Sequence, residues 1–388
     1  MKHIRTCCAA VLLVVFPPST PQAQDTARPA LKEIIAQVRR SESLISDIEA
    51  RLEWRWLHHP LKRGTPLYGE PTWWFRSDWR QRLEGEFIRS GMSAMPDQPD
   101  QQPFIEYELQ VFDGSRYKEY YTYPDPHFPA GVARKGIIAP DVGEIEKSGP
   151  SPKHLLGYSF VKCLPRYSTL SDLLEAGTEA RVAYDTQVDG HPCIMVETLV
   201  LKTREVLLRH WRPEDITPNL IDRESRRVKV WLDPVCGHRP RRIEEYLNSY
   251  NACRRRLENI ELEEVEPGIW LPVEGDDILI RSMPRSIRPG MSVLEVLELP
   301  RKERFASVAF EETPSRASKR LRVKEYKVNK GIPDEVFSLE FPEGTEVGDV
   351  FTSVMYTVGE PGSERPIASP GRNRRPATGP RAPSGGGG

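Results

Sequence analysis

Residues 48–56 have the sequence IEARLEWRW, and this stretch decides the fold. Apolar and charged side chains alternate along it with period two, which predicts a β-strand whose successive side chains point to opposite faces of a sheet. Glu or Arg occupies each position between the apolar ones. The stretch therefore predicts a sheet with one apolar face and one face exposed to water. The apolar positions are Ile48, Ala50, Leu52, Trp54 and Trp56.

Strand signals recur along the rest of the chain and are joined mainly by tight turns. Phe104–Phe112 and Arg116–Tyr123 flank Asp113-Gly114-Ser115, and a second Asp-Gly pair lies at 189–190. Asp-Gly supplies the positive φ that tight hairpin turns need. Helical signals are few, at Pro29–Arg40 and Ser168–Ala176. The pattern predicts a mainly β (α+β) fold, with an antiparallel meander curled around its apolar face.

The two ends of the chain differ from its body. Lys2 and Arg5 precede the short apolar run Cys7–Phe16, which is the layout of a secretory signal peptide at 1–23, with cleavage expected after Ala23. A membrane-spanning helix would need about 20 apolar residues. Residues 359–388 consist largely of Pro, Gly, Ser and Arg, so we expect a disordered tail. The expected product is an exported periplasmic protein that is soluble after cleavage.

Charge and cysteine content narrow the function classes. The chain has 55 basic and 56 acidic residues, which argues against a nucleic-acid binder driven by phosphate neutralisation. After cleavage four cysteines remain, and they could form two disulfides whose pairing the sequence leaves open. Cys236-Gly237-His238 lacks the paired spacing of a closed zinc site, so no metal is expected. The four cysteines are Cys163, Cys193, Cys236 and Cys253.

Motifs of common enzyme classes are missing from the sequence. It contains no GxSxG, no glycine-rich phosphate loop and no HExxH. His58 and His59 are adjacent and would point to opposite faces of a strand. Glu244-Glu245 and Asp276-Asp277 are the best paired carboxylates, and we interpret them as residues of a water-exposed face and a turn. The sequence predicts a protein that is not an enzyme and needs no cofactor.

The informative feature is aromatic. Five of the eight tryptophans, residues 54, 56, 73, 74 and 79, lie in one short region. One interpretation is an ordinary core. The other is a curled sheet without a helix long enough to fill it, whose apolar cavity would bury a lipid chain at about 0.8 kcal/mol per methylene. The lining residues predicted for that cavity are Leu52, Trp54, Trp56, Trp74, Phe112 and Trp231.

Four stretches resemble the periplasmic lipoprotein-carrier superfamily of LolA, LolB and the sensor RseB. The most specific is Val230-Trp231-Leu232-Asp233-Pro234 followed by Gly237, which is similar to the strand–turn–strand signature of the family. There, Asp233 and Pro234 would start the turn and Gly237 would end it. The other three are the opening helix with its alternating strand, the Phe112-Asp113-Gly114-Ser115 hairpin, and Gly268-Ile269-Trp270-Leu271-Pro272.

The resemblance implies an antiparallel half-open β-barrel over 24–281, with a few helices over its concave face. Residues 282–358 would be a C-terminal β extension of this domain or a small subdomain. The implied function is that of a non-enzymatic carrier that binds lipoprotein acyl chains or another lipid for outer-membrane lipoprotein sorting. A membrane protein that donates or accepts the lipid is a further expected partner, with transient membrane contact.

Two alternatives stay open at this point. The first is an RseB-like periplasmic sensor or scaffold that binds a protein partner, for which 282–358 would supply an additional domain. The second, and least favoured, is a hydrolase on an unrecognised β fold, since catalytic residues assemble in space and need not be close in sequence.

Overall fold

The computed structural model describes residues 29–57, 66–89, 104–125, 131–139, 155–156, 168–202, 204–208, 212–249, 251–314 and 318–366. The predicted signal peptide, Cys163 and most of the predicted tail lie outside these ranges. The helices are α1 (Leu31–Ser43), α2 (Leu170–Ala176), α3 (Arg204–Leu208), α4 (Pro218–Glu224), α5 (Val293–Glu298) and α6 (Arg301–Ser307). Short 3-10 turns lie at Pro213–Asp215 and Asp334–Phe337.

Strands dominate the described part of the chain. They are β1 (Asp47–Trp56), β2 (Pro66–Gly69), β3 (Thr72–Arg76), β4 (Gln81–Arg89), β5 (Phe104–Phe112), β6 (Tyr117–Pro124), β7 (Val132–Ala139), β8 (Thr178–Val188), β9 (His191–Val200), β10 (Arg226–Asp233), β11 (Arg239–Leu247), β12 (Ala252–Glu266), β13 (Ile269–Ile287), β14 (Val308–Pro314), β15 (Lys319–Val328), β16 (Glu346–Asp349), β17 (Val354–Thr357) and β18 (Arg365–Pro366).

The strands form one long meander. In space the order is β8-β9-β10-β11-β12-β13-β15-β1-β3-β4-β5-β6-β7-β16-β17-β18. Neighbours are antiparallel except β7 and β16. Among the described strands no pairing joins β8 to β18, so the sheet stays open. The predicted mainly β, half-open antiparallel fold with few helices is confirmed.

The alternating strand β1 lies in the middle of this sheet. It pairs with β3 on one side and with β15 on the other, so Ala50 faces Trp73 and Leu52 faces Val323. β15 comes from 282–358, the stretch expected to be an extension or a subdomain. It therefore inserts between β13 and β1. β14 pairs with the far part of β13, and β2 pairs with β1 and β4.

Helices α1 and α2 cover one face of the sheet, which we call the inner face. Ile34 and Val38 of α1, Leu173 of α2 and the pair Leu155–Leu156 all join the core cluster that β1 contributes to. The predicted helices are thus confirmed. The expectation that no helix is long enough to fill the curled sheet is wrong, because α1 has 13 residues and its apolar stripe packs directly on the strands.

A buried carboxylate fixes α2 against α1. Glu42, near the end of α1, accepts hydrogen bonds from the backbone N–H of Leu170 (2.8 Å) and of Ser171 (3.2 Å). The hydroxyl of Ser171 also donates to Glu42, at 2.5 Å. These are the N–H groups that the start of a helix leaves without an internal acceptor. The hydrogen bonds to this one carboxylate therefore hold the start of α2 against the end of α1.

Candidate functional site

The six predicted lining residues are not brought to one place. Leu52 and Trp54 lie in the main core cluster, with 1% and 2% of their surfaces exposed, and the half-buried Trp56 packs against that cluster. Phe112 also projects from the inner face, but it packs in a separate cluster with Tyr117 and Ala139. That any of these residues contacts a lipid stays a prediction.

Trp74 and Trp231 project from the other side of the sheet, which we call the outer face. Trp73, the neighbour of Trp74, pairs with Ala50 and is 1% exposed, whereas Trp74 lies under the guanidinium of Arg82 at 5.7 Å. Trp231 stands between the core residues 230 and 232 and contacts Arg242 at 5.2 Å. Sequence reasoning missed Trp73, which shares its strand parity with Phe75.

Aromatic side chains form an apolar wall on the inner face. The rings of Trp54 and Phe87 lie 5.3 Å apart, and those of Trp73 and Phe75 stack at 5.4 Å. All four are buried. This wall runs along β1, β3 and β4, in the same core cluster as the apolar side chains of α1 and α2.

One residue pair further along β1 and β4, the inner face becomes charged. Arg89 follows Phe87 on the same side of β4 and forms ion pairs with Glu106 and, at 2.7 Å, with Glu108. Glu119 of β6 lies opposite Gln110, so it projects from the same face. The three carboxylates are at most 9% exposed. From the sequence we expected such acidic residues on a water-exposed face, so this buried group was not predicted.

The C-terminal segment explains why these carboxylates face inward. Leu339 and Phe341 pack on the outer face of β5 and β6, where they bury Leu109, Val111 and Tyr120. The apolar side chains of β5 are therefore buried on the outer face. Because successive side chains of a strand alternate between faces, its glutamates project from the inner face.

Burial changes the acidity of this charged group. Burial, reinforced by Glu108, raises the pKa of Glu106 to about 7 against the attraction of Arg89. Burial and the charge of Glu108 raise the pKa of Glu119 to about 8, against a hydrogen bond donated by the Tyr117 hydroxyl (3.4 Å). Two of the three carboxyls therefore hold their protons well above the ordinary range of a glutamate.

Lys319 of β15 interacts electrostatically with Glu108 and Arg89 of this charged group. It is the cross-strand partner of both Trp56 and Asp277. Its Nζ lies 4.8 Å from the Trp56 ring centroid and 5.5 Å from that of Trp54. Burial lowers the pKa of Lys319 to about 8. The inner face thus places an ammonium over two aromatic rings, a favourable arrangement for a cation.

The predicted signature turn is a structural element. Asp233 Oδ1 accepts hydrogen bonds from the N–H of Val235 (2.9 Å) and of Cys236 (3.2 Å), and Oδ2 accepts one from Arg241 Nε at 2.6 Å. Burial alone would raise the pKa of Asp233, but these bonds outweigh it and lower that pKa. Gly237 adopts φ +65°, which favours glycine. The turn joins β10 to β11.

Other chemistry is sparse in the described ranges. Cys193, Cys236 and Cys253 are buried free thiols there, and burial raises the pKa of each. Within the same ranges no cluster of His, Cys, Asp and Glu is arranged to hold a metal ion. Nor does any helix described there have the length and apolar character needed to cross a membrane. A groove of about 700 Å³ is lined by 287–289, 303 and 305–309, which do not include the inner-face residues named above.

Known proteins resemble this chain in structure only. Neither a protein-family model nor a curated protein matches the sequence. A domain named for outer membrane lipoprotein sorting, from Vibrio parahaemolyticus, is 12% identical, with 80% of this chain and 97% of that one covered and a TM-score of 0.35. A LolA superfamily protein from Nitrosomonas europaea is 9% identical, with 80% and 99% covered and a TM-score of 0.33.

A third match has a mycobacterial source. The lipoprotein LppX of Mycobacterium tuberculosis is 14% identical, with 57% of this chain and 90% of that one covered and a TM-score of 0.23. A LolA superfamily protein is thus among the structures this chain is similar to, as its sequence motifs led us to expect. Because the identities and TM-scores are this low, function has to be inferred from the inner face itself.

Proposed function

We propose that this protein is a non-enzymatic carrier that binds an amphiphilic lipid on the inner face of its sheet. The observation that carries the proposal is the change in character along β1 and β4. Trp54 and Phe87 form the apolar wall, and two residues further along the same strands lie Trp56 and Arg89. Lys319 of the neighbouring strand β15 lies beside Trp56. An apolar wall that ends in a few placed polar groups is the usual design of a lipid or ligand site.

The covering helices support this proposal. Helices α1 and α2 place apolar side chains in the same core cluster as the aromatic wall, and an acyl chain offers the same kind of surface. Each methylene moved out of water onto such a surface contributes about 0.8 kcal/mol. On this proposal the acyl chain takes the place of apolar contacts within that cluster.

The finer part of the proposal comes from the sequence. The predicted signal peptide and the lipoprotein-carrier motifs support export to the periplasm and a cargo with lipoprotein acyl chains. On this proposal the protein delivers its cargo during outer-membrane lipoprotein sorting, with a membrane protein as donor or acceptor.

The proposal is tested on protein purified under native conditions. Solvent extraction followed by mass spectrometry should find lipid in stoichiometric amount, and a fluorescent fatty-acid probe should displace it. Trp56→Ala should weaken probe binding at least several-fold, because Trp56 lies where the wall meets the charged end. Trp231→Ala is the matched control, since it removes a tryptophan that is also half-buried but lies on the outer face. Absence of lipid together with no probe binding would overturn the proposal.

A further inference from the structure

Two hydrogen-bond donors on the inner face have no acceptor among the described residues. Trp56 Nε1 is buried and is one of them. The Lys319 ammonium makes no hydrogen bond and no ion pair within the part of the chain that the structure describes; its recorded contacts there are the two tryptophan rings. A buried donor such as Trp56 Nε1 is normally paired, because an unpaired one loses its bond to water without replacement, whereas Lys319 is half-buried.

The two donors lie next to each other on the inner face. Trp56 and Lys319 are cross-strand partners on β1 and β15, and Lys319 Nζ lies 4.8 Å from the Trp56 ring centroid. Both project from the inner face, next to the aromatic wall. A single acceptor group placed between them could be reached by both.

The nearby carboxylates already have other partners. Asp277, across from Lys319, accepts two hydrogen bonds from Arg255, at 2.7 and 2.6 Å. Glu108 accepts hydrogen bonds from Arg89 (2.7 Å) and from Gln110. The positive charge of Lys319 is therefore left without a direct counter-ion among the described residues.

We propose that Lys319 and Trp56 bind the anionic head group of the amphiphile, a carboxylate or phosphate oxygen, while its chain lies along Trp54 and Phe87. This inference rests on the proposed lipid-binding function and names the chemical class of the ligand. A hydrogen bond from an ammonium to an anionic oxygen is roughly twice as strong as a neutral one. The Trp56 N–H supplies the second, directional contact.

Burial sets a pH range for this site by lowering the pKa of Lys319 to about 8. Asp277 and Glu108 oppose this lowering, whereas Arg255 and Arg89 add to it. Below pH 8 the ammonium is charged and the anionic head group should bind. Above pH 8 it loses its proton, so the preference for an anion should fade.

The experiment compares ligands that differ only in the head group. A fatty acid, an alkyl phosphate and a fatty alcohol of equal chain length compete with a neutral fluorescent probe at pH 6.5 and pH 9 on the purified full chain. At the lower pH the two anions should bind at least about tenfold more tightly than the alcohol, which corresponds to about 1.4 kcal/mol. Acetate and inorganic phosphate, tested alone, should bind far more weakly than the amphiphiles.

Variants assign the preference to the two residues. Lys319→Met should reduce binding of both anions to the level of the alcohol and leave the alcohol unchanged. Trp56→Phe keeps the ring, removes the N–H and should weaken the anions several-fold. Lys324→Met is the matched control, because Lys324 lies on the same strand and pairs with Glu70 at 2.7 Å. Its removal should change nothing in binding.

The outcomes separate the two proposals. If none of the three amphiphiles binds, the proposed function is overturned. If alcohol and anions bind equally to the wild type, only the head-group inference is overturned, and the same holds if Trp56→Phe and Lys319→Met both keep the anion preference. Free acetate or phosphate binding as tightly as the amphiphiles would also overturn it. Should Lys319→Met fail to fold, Trp56→Phe decides.

Discussion

The two ends of the inner face are equally buried but opposite in chemistry. Trp54 at the apolar end and Glu108 at the charged end are each 2% exposed. At the apolar end, burial stabilises the fold directly by removing apolar surface from water. At the charged end, each buried charge costs free energy unless a partner compensates it. The comparison shows that strand register, and not residue polarity, decides what this sheet buries.

We expect the greatest loss of stability from a substitution at the apolar end. Trp73→Ala should lower the free energy of unfolding by about 3–5 kcal/mol, because it removes a fully buried ring that stacks on Phe75. Trp74→Ala, one position along on the outer face, should cost about 1 kcal/mol. Urea denaturation followed by circular dichroism measures both. Equal losses would contradict the assignment of the two tryptophans to opposite faces.

We expect a slightly smaller loss of stability from a substitution at the charged end. Arg89→Met leaves Glu106 and Glu108 without their cation, and removing one partner of a buried ion pair costs about 3 kcal/mol or more. Arg51→Met is the control: its ion pair with Glu325 spans 3.8 Å and is exposed, so it should cost at most about 1 kcal/mol. Thermal and urea unfolding of both variants would show the difference. A stable Arg89→Met protein would mean that the carboxylates are compensated elsewhere.

The charged end should also make stability depend on pH, and this is the weakest of the three effects. Because the folded pKa values of Glu106 and Glu119 are raised to about 7 and about 8, the native state holds protons that the unfolded chain releases near pH 4.5. The contribution of these groups to stability should therefore fall as pH rises from about 4.5 to 8. Glu119→Gln should remove part of this slope and raise stability at pH 8 by about 1 kcal/mol or more. Denaturation midpoints measured from pH 5 to pH 8 test this. An unchanged slope would place Glu119 in water.

Local pattern was enough to predict several elements. The period-two alternation of 48–56 predicted the strand and its buried side, and the stripe of Ile34 and Val38 predicted the helix that covers it. The Asp113 turn was predictable because its side chain bonds to the following backbone N–H groups, an arrangement that depends only on local sequence. In each case the physical cause lies within a few residues of the feature.

The inward tryptophan was not predictable in the same way. The sequence TWWFR carries a tryptophan at both strand parities, so periodicity could not choose between Trp73 and Trp74. The choice comes from the pairing of β3 with β1, which places Trp73 opposite Ala50. Pairing between strands that are distant in sequence is a tertiary property, and shifting it by one residue exchanges the two faces.

Local sequence features are sufficient to predict a strand-rich meander with an early amphipathic helix, because period and turn chemistry act over short distances. Which side of β5 faces inward depends on tertiary contacts, because Leu339 and Phe341 come from a distant part of the chain to cover the apolar side. The tertiary structure alone also brought Lys319 to Trp56, through the insertion of β15 beside β1. The candidate site therefore depends on the pairing of Trp56 with Lys319, two residues so far apart along the chain that no local pattern carries information about their contact.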